Sequence, residues 1–157
     1  MPYPTSLSGL NTREQIIDLV LRCTLAFDEY DQALFDTCWP TEEPEKVVVT
    51  IAGTTYNGVE EFNKCFHGVG PMDTQHNVSN FRIEVDEAGS TAKVYCQALA
   101  QHFRPGEGMT PGAPHFLAAG VYDIEAIKEK DGQWKIKSWV LRVRWSQGDF
   151  SIMPGQS

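Results

Sequence analysis

The chain has 157 residues, 41% hydrophobic and 22% charged, enough for one domain with a real core and unlike the composition of a disordered segment. Its net charge of −8, with no overriding lysine or arginine cluster, argues against a nucleic-acid surface, so no nucleic-acid partner is expected. No stretch approaches membrane-spanning length and no basic segment followed by an apolar run opens the chain, which predicts a cytoplasmic protein without a membrane partner.

Cys23, Cys38, Cys65 and Cys96 have no paired spacing, which predicts reduced thiols rather than a disulfide framework. Asn77-Val78-Ser79 matches a glycosylation sequon by chance in that setting.

In chain order, residues 1–10 read as an irregular arm. Asn11-Thr12-Arg13-Glu14 fits a capping box. Ile16, Val20, Cys23 and Phe27 then line one helical face, with Ile17, Leu21, Thr24 and Asp28 beside it. Asp28 therefore falls along the apolar side, near the helix end. Asp31 to Trp39 predicts a short second helix stopped by Pro40. Val47 to Ile51 is a β-branched strand, with Thr54 to Tyr56 returning beside it. Asn57-Gly58 opens a third helix, marked by Val59, Phe62, Cys65 and Phe66 and ended by Gly68.

Beyond residue 75 the pattern is all strand. Asn77 to Val85 alternates Phe81, Ile83 and Val85 against Asn80, Arg82 and Glu84. Asp86 to Ser90 is a hairpin turn into a strand that ends at Phe103. Arg104 to Pro114 is a long loop, expected to form a rim or lid, and Phe116 to Lys128 is the next strand. In the last strand Trp134 and Ile136 set one phase, whereas Trp139, Leu141, Val143 and Trp145 keep the other. One extra residue near Lys137–Ser138 reconciles the two, which predicts a β-bulge and a sharp bend. Helices followed by a bent antiparallel sheet imply an α+β cone-shaped half-open barrel wrapped around three N-terminal helices. Its mouth is a natural small-molecule pocket.

Two imidazoles and a carboxylate carry the chemistry. His102 ends the strand face Val94, Cys96, Ala98, Ala100, His102, whose small residues describe a cavity wall better than a packed core. His76 opens the preceding strand, in Thr74-Gln75-His76. Singly, Asp28 fits a helix-end cap, His76 a turn histidine bonded to Asn80, and His102 a satisfied core histidine. Together the three mark a site. Asp123 shares a face with Val121, Ala119 and Leu117, where an acid needs a partner; His102, Arg142 or Arg144 could supply it. No two of His67, His76, His102 and His115 lie at metal-ligand spacing, so no metal is expected. The glycines of the 104–114 loop lack the context of a phosphate cradle, and no nucleophile elbow or Cys-His pattern is present.

Leu25-Ala26-Phe27-Asp28, Thr74-Gln75-His76-x-x-x-Asn80, Ala100-Gln101-His102-Phe103-Arg104 and Asp131-Gly132-Gln133-Trp134…Arg144-Trp145 occur in this order. With them the chain resembles the SnoaL-like branch of the nuclear transport factor 2-like superfamily, and within it the scytalone dehydratases. The resemblance spans about Arg13 to Phe150. It implies the same cone-shaped barrel, no cofactor, and a helix-end aspartate (Asp28) paired with a strand histidine (His102), with His76 transferring the proton. Asp123 falls where those enzymes contact substrate through an asparagine. Their two water-positioning tyrosines are missing: Phe27 precedes Asp28, and residues 47–53 hold no tyrosine. Tyr56 or Tyr122 could stand in.

The expected reaction is a dehydration of a small polyketide- or terpenoid-like hydroxy-ketone in secondary metabolism, because imidazole suits both proton removal and proton donation near neutral pH. An isomerase, a cyclase or an epoxide-opening enzyme would use the same groups, and a non-catalytic binding or association module is the other class. Phe81, Ile83, Leu141 and Val143 offer more apolar strand surface than three short helices cover, so a homo-oligomer, dimer or trimer, is expected. Phe150, Ile152 and Met153, in the tail over residues 146–157, should pack at the pocket rim.

Overall fold

Asn11 caps α1 (Thr12–Glu29) through the predicted box: its side chain accepts from the Glu14 backbone N–H, and Glu14 reaches back to the Asn11 N–H at 2.8 Å. This computed structural model describes residues 3–156. In α1 the core stripe is Ile16, Leu19, Val20, Cys23 and Ala26–Phe27, whereas Leu21 stands exposed. Asp31 is itself the N-cap of α2 (Gln32–Asp36), which is shorter than expected: its C-cap is Thr37, three residues before Pro40. Strands β1 (Val48–Ile51) and β2 (Thr54–Asn57) form a hairpin, and α3 (Val59–Val69) runs one residue past Gly68 to a cap at Gly70. Four long strands complete the chain: β3 (Asp73–Val85), β4 (Thr91–Phe103), β5 (His115–Lys128) and β6 (Trp134–Gly148). Because β6 continues to Gly148, the tail begins at Asp149 rather than at residue 146.

The six strands form one unclosed sheet in the order β2-β1-β6-β5-β4-β3. It is the expected α+β half-open barrel, with one correction. The sheet is mixed rather than antiparallel, because β1 pairs parallel to β6 with Val49 opposite Trp139. The helices fill the concave side, where Phe35, Phe62 and Phe66 are fully buried against Val49, Ile124 and Ile136.

Register shifts bend the sheet. Opposite β5, the pairing steps from Glu125–Ser138 to Ala126–Ile136, leaving Lys137 as the extra residue where the change of phase required it. A second shift at Arg144, between Ala119–Trp145 and Gly120–Val143, was not apparent in the sequence. It turns Trp145 outward, 50% exposed, and brings Ser146 to the concave side. A third bulge lies in β3 between Ser79 and Arg82, where Asn80 takes a left-handed φ of 57°. This bulge changes the inward set from Thr74, His76 and Val78 to Phe81, Ile83 and Val85.

The outer face differs from expectation. Phe81, Ile83 and Leu141 pack on the core and Val143 lines the concave cavity, so they supply no outward apolar surface. The outward row is instead Leu99, Ala119 and Trp145, paired directly across β4, β5 and β6, with Tyr95 two outward rows away, beyond Gln97. No helix of the described residues is long and apolar enough to cross a membrane.

Candidate active site

The end of α1 is held rigidly. Tyr30 adopts the left-handed region (φ 49°) and its N–H returns to the carbonyls of Ala26 and Phe27. The Tyr30 ring packs on Phe66 at 5.3 Å and lies over Gly70, where a Cβ would sit 2.2 Å from the ring; only glycine fits this approach. Two residues upstream, Asp28 is thereby fixed beside the first turns of β3.

Asp28 grips His76 twice. One carboxylate oxygen lies 2.7 Å from the His76 Nδ1, and the other accepts from the His76 backbone N–H at 2.8 Å. Both side chains are nearly buried. A carboxylate only accepts, so the Nδ1 carries its hydrogen and Nε2 is left available to a ligand. The expected partnership of Asp28 with His102 is therefore corrected. Strand β3 sits between α1 and β4, with His76 opposite Ala100 in register, so the helix-end carboxylate meets His76 first. The bond imagined between His76 and Asn80 is also absent; Asn80 sits on the bulge and donates to the Gln97 side chain at 2.6 Å.

His102 is 5% exposed and stands edge-on to His76, ring centroids 5.7 Å apart at 89°. Its Nδ1 lies 3.1 Å from the Phe116 carbonyl, which only accepts, so Nδ1 is again the protonated nitrogen. Burial, followed by the neighbouring His76, pulls its pKa down to about 4 against weaker support from the Phe116 carbonyl and Asp28. His102 is thus neutral at pH 7 and presents an Nε2 lone pair.

Both histidines line a cavity of about 830 Å³. Ala98, Ala100 and Ala118 leave its room, as the small-residue face of β4 implied, and Phe27, Phe116 and Leu141 make it apolar. Tyr122 lines it deeply at 4% exposure, and Tyr56 lines it beside Cys65, where burial pushes the phenol up to about 12. At the mouth, Phe150 packs on Phe116 with centroids 5.1 Å apart, and Met153 to Gln156 continue around the rim. The 104–114 loop is tied to β3: Asp73 accepts from Gly106 at 3.1 Å and from Gly108 at 2.8 Å.

Two candidates are not brought to the cavity. Asp123 and Asn80 lie on the outer face, because β5 turns Tyr122 inward and the β3 bulge turns Phe81 inward. Sequence reasoning missed the Phe116 carbonyl, whose backbone role leaves no trace in residue type. Trp139, part of the core, borders the cavity as well. Among the described residues no cluster of three histidine, cysteine or acidic side chains could hold a metal ion.

The fold and cavity define a class: cone-shaped α+β proteins whose concave sheet encloses an apolar pocket with buried ionisable groups. The chain belongs to the SnoaL-like domain family, which matches residues 8–140. It is 40% identical over 152 residues to the Terrestric acid biosynthesis cluster protein E of Penicillium crustosum, covering 95% of this chain and 94% of that protein. Similar solved structures share the fold at lower identity. A candidate scytalone dehydratase of Novosphingobium aromaticivorans superposes with a TM-score of 0.73 at 21% identity, over 90% of each chain. A type 2 hexachlorocyclohexane dehydrochlorinase superposes at 0.72 and 22% identity, over 88% of each.

Proposed function

We propose that the protein is an acid-base lyase that dehydrates a small, largely apolar hydroxy-ketone during the biosynthesis of a secondary metabolite. The observation that carries this reading is the Asp28–His76 pair opening onto the apolar cavity. Nε2 of His76 removes the proton from the carbon next to the carbonyl, and Asp28 stabilises the imidazolium that forms. The C–O bond breaks as the C=C bond forms, and the same proton passes from His76 to the departing hydroxide, giving water. His102 accepts a hydrogen bond from the substrate hydroxyl and turns the leaving group toward His76. The apolar walls keep bulk water from competing for the proton.

The relative in the terrestric acid cluster supports a place in the making of a small metabolite. Four free thiols accord with work in the cytoplasm.

The test is solvent-deuterium exchange and enone formation with a panel of cyclic β-hydroxy-ketones. Wild type should release water from at least one, and His76→Gln should lose at least about 10²-fold in rate. Exchange without water loss would indicate an isomerase or cyclase. Equal activity of wild type and His76→Gln would reject the reading.

A further inference from the structure

Apart from its two imidazoles, the cavity carries charge at one place. Among the described residues its lining holds no carboxylate and no arginine, and its one ammonium is that of Lys64. The chain as a whole has the opposite balance, 21 acidic residues against 13 basic ones. A lone cation on the wall of an apolar cavity in an acidic protein therefore asks for an explanation.

Lys64 is exposed on α3, one helical turn before Gly68 and on the same face. Gly68 abuts the tail, since a Cβ there would lie 3.2 Å from the Pro154 Cβ. Lys64, Gly68 and Pro154 all border the cavity, so this edge of α3 belongs to its mouth. Among the described residues Lys64 forms no ion pair. Of the two acids on its own helix, Glu61 accepts from the Asn57 backbone N–H at 2.6 Å, and Glu60, one turn back, does not reach it.

Deeper inside, an anion has no partner. Nδ1 of His76 faces the Asp28 carboxylate and Nδ1 of His102 faces the Phe116 carbonyl, so both Nε2 atoms present lone pairs. Ala98, Ala100, Phe27 and Phe116 surround them with apolar surface. A carboxylate placed there would lose its hydration and gain no cation, a cost that drives the charge outward.

We propose that the substrate is an oxo acid whose apolar body enters the cavity while its carboxylate stays at the mouth, paired with Lys64. One ammonium without an arginine beside it matches a monoanion, whereas a phosphate group carries about −1.5 to −2. Lys64 is then a specificity residue that sets which end of the molecule goes in first. The end away from the carboxylate meets His76 and His102. That orientation rests on the acid-base reading; the pairing with Lys64 does not.

The test compares phenylbutyrate with phenylbutyramide, which share a ring and chain and differ in charge. Binding is read by tryptophan fluorescence, since Trp139 borders the cavity. The acid-to-amide affinity ratio should be about threefold higher in wild type than in Lys64→Met, the size of an exposed ion pair. Lys64→Arg should keep the wild-type ratio. So should Lys93→Met, which removes the same charge from an exposed position on β4 outside the cavity. Raising the salt from about 0.01 M to about 1 M, which shortens the screening length roughly tenfold, should bring wild type down to the Lys64→Met ratio. An equal ratio in wild type and Lys64→Met overturns the proposal, and so does an equal loss in Lys93→Met. Should Lys64→Met not fold, a wild-type ratio indifferent to salt overturns it as well. His76→Gln should keep the ratio, so the two ideas fail separately: undiminished turnover by that variant would sink the acid-base reading and leave the carboxylate site standing.

Discussion

Asp28 and His76 are 48 positions apart, yet the carboxylate of the first holds both the ring Nδ1 and the backbone N–H of the second, at 2.7 and 2.8 Å. The double contact fixes the ring's orientation as well as its tautomer, because the backbone bond sets where the strand lies and the ring bond sets which nitrogen is free. His102, 5.7 Å away between ring centroids, is held by a backbone carbonyl instead and remains neutral.

Replacing Asp28 with Asn should leave the fold intact and lower turnover by about 10²-fold or more, since an amide can present its N–H to Nδ1 and move the imidazole hydrogen to Nε2. Asp28→Ala should also cost about 1–3 kcal/mol of stability, because the His76 backbone N–H loses its acceptor. Steady-state rates together with urea midpoints separate the two effects. An unchanged rate in Asp28→Asn would remove Asp28 from the mechanism.

His102 predicts a pH dependence of stability. Its pKa is about 4 when folded against 6.5 ordinarily, so between these values the unfolded chain binds more protons than the native one. Stability is then full above about pH 6.5 and falls as the pH drops toward 4, by on the order of 3 kcal/mol from this group. Thermal melts from pH 7 to 4 should show a steeper decline for wild type than for His102→Gln. Parallel curves would mean that His102 is not the buried neutral group described here.

The tail should matter more to ligand binding than to folding. Phe150 is 49% exposed and packs on Phe116 at the mouth, while Ile152 is 7% exposed. Removing residues 149–157 should lower kcat/KM by about tenfold, through lost closure and lost apolar contact, with the larger part of the effect in KM. The melting temperature should fall by only a few degrees. Full activity after truncation would exclude a role at the mouth.

Leu99 and Trp145 lie on one outward row of the sheet, 38% and 50% exposed, with Tyr95 at 40% two outward rows along β4. Such a patch on a strand face calls for a cover, and a second copy of the chain is the expected one. Light scattering should give a dimer or trimer, and Trp145→Glu should shift it toward the protomer mass of 17.6 kDa. Wild type at that mass at micromolar concentration would reject the assembly.

Much of the fold was legible because its signals are local. Asn11 and Glu14 are one helical turn apart, and the Lys137 bulge follows from a change of phase within one strand. The β4 wall was legible too, since Lys93, Tyr95, Gln97 and Leu99 are clearly larger and more exposed than Val94, Cys96, Ala98 and Ala100. The β3 bulge was hidden, because Thr74 and His76, inward before Asn80, are polar like their outward neighbours Gln75 and Asn77, so the change of phase to Phe81, Ile83 and Val85 leaves no apolar trace.

The sequence by itself determined the order of elements, the bend of β6, the room beside His102 and the presence of two imidazoles and a carboxylate in or near the sheet's mouth. Tertiary structure decided which groups meet. On β5, Leu117, Ala119 and Val121 are as apolar as Phe116, Ala118 and Gly120, so alternation defines two faces without saying which is inside. Packing against the helices made the choice, putting Tyr122 in the cavity and Asp123 outside it. The pairing of Asp28 with His76 rather than His102 likewise depends on strand order, because β3 is the edge strand lying against α1. A hydrogen bond between residues 48 positions apart is set by that placement in space, and residue type and spacing alone do not encode it.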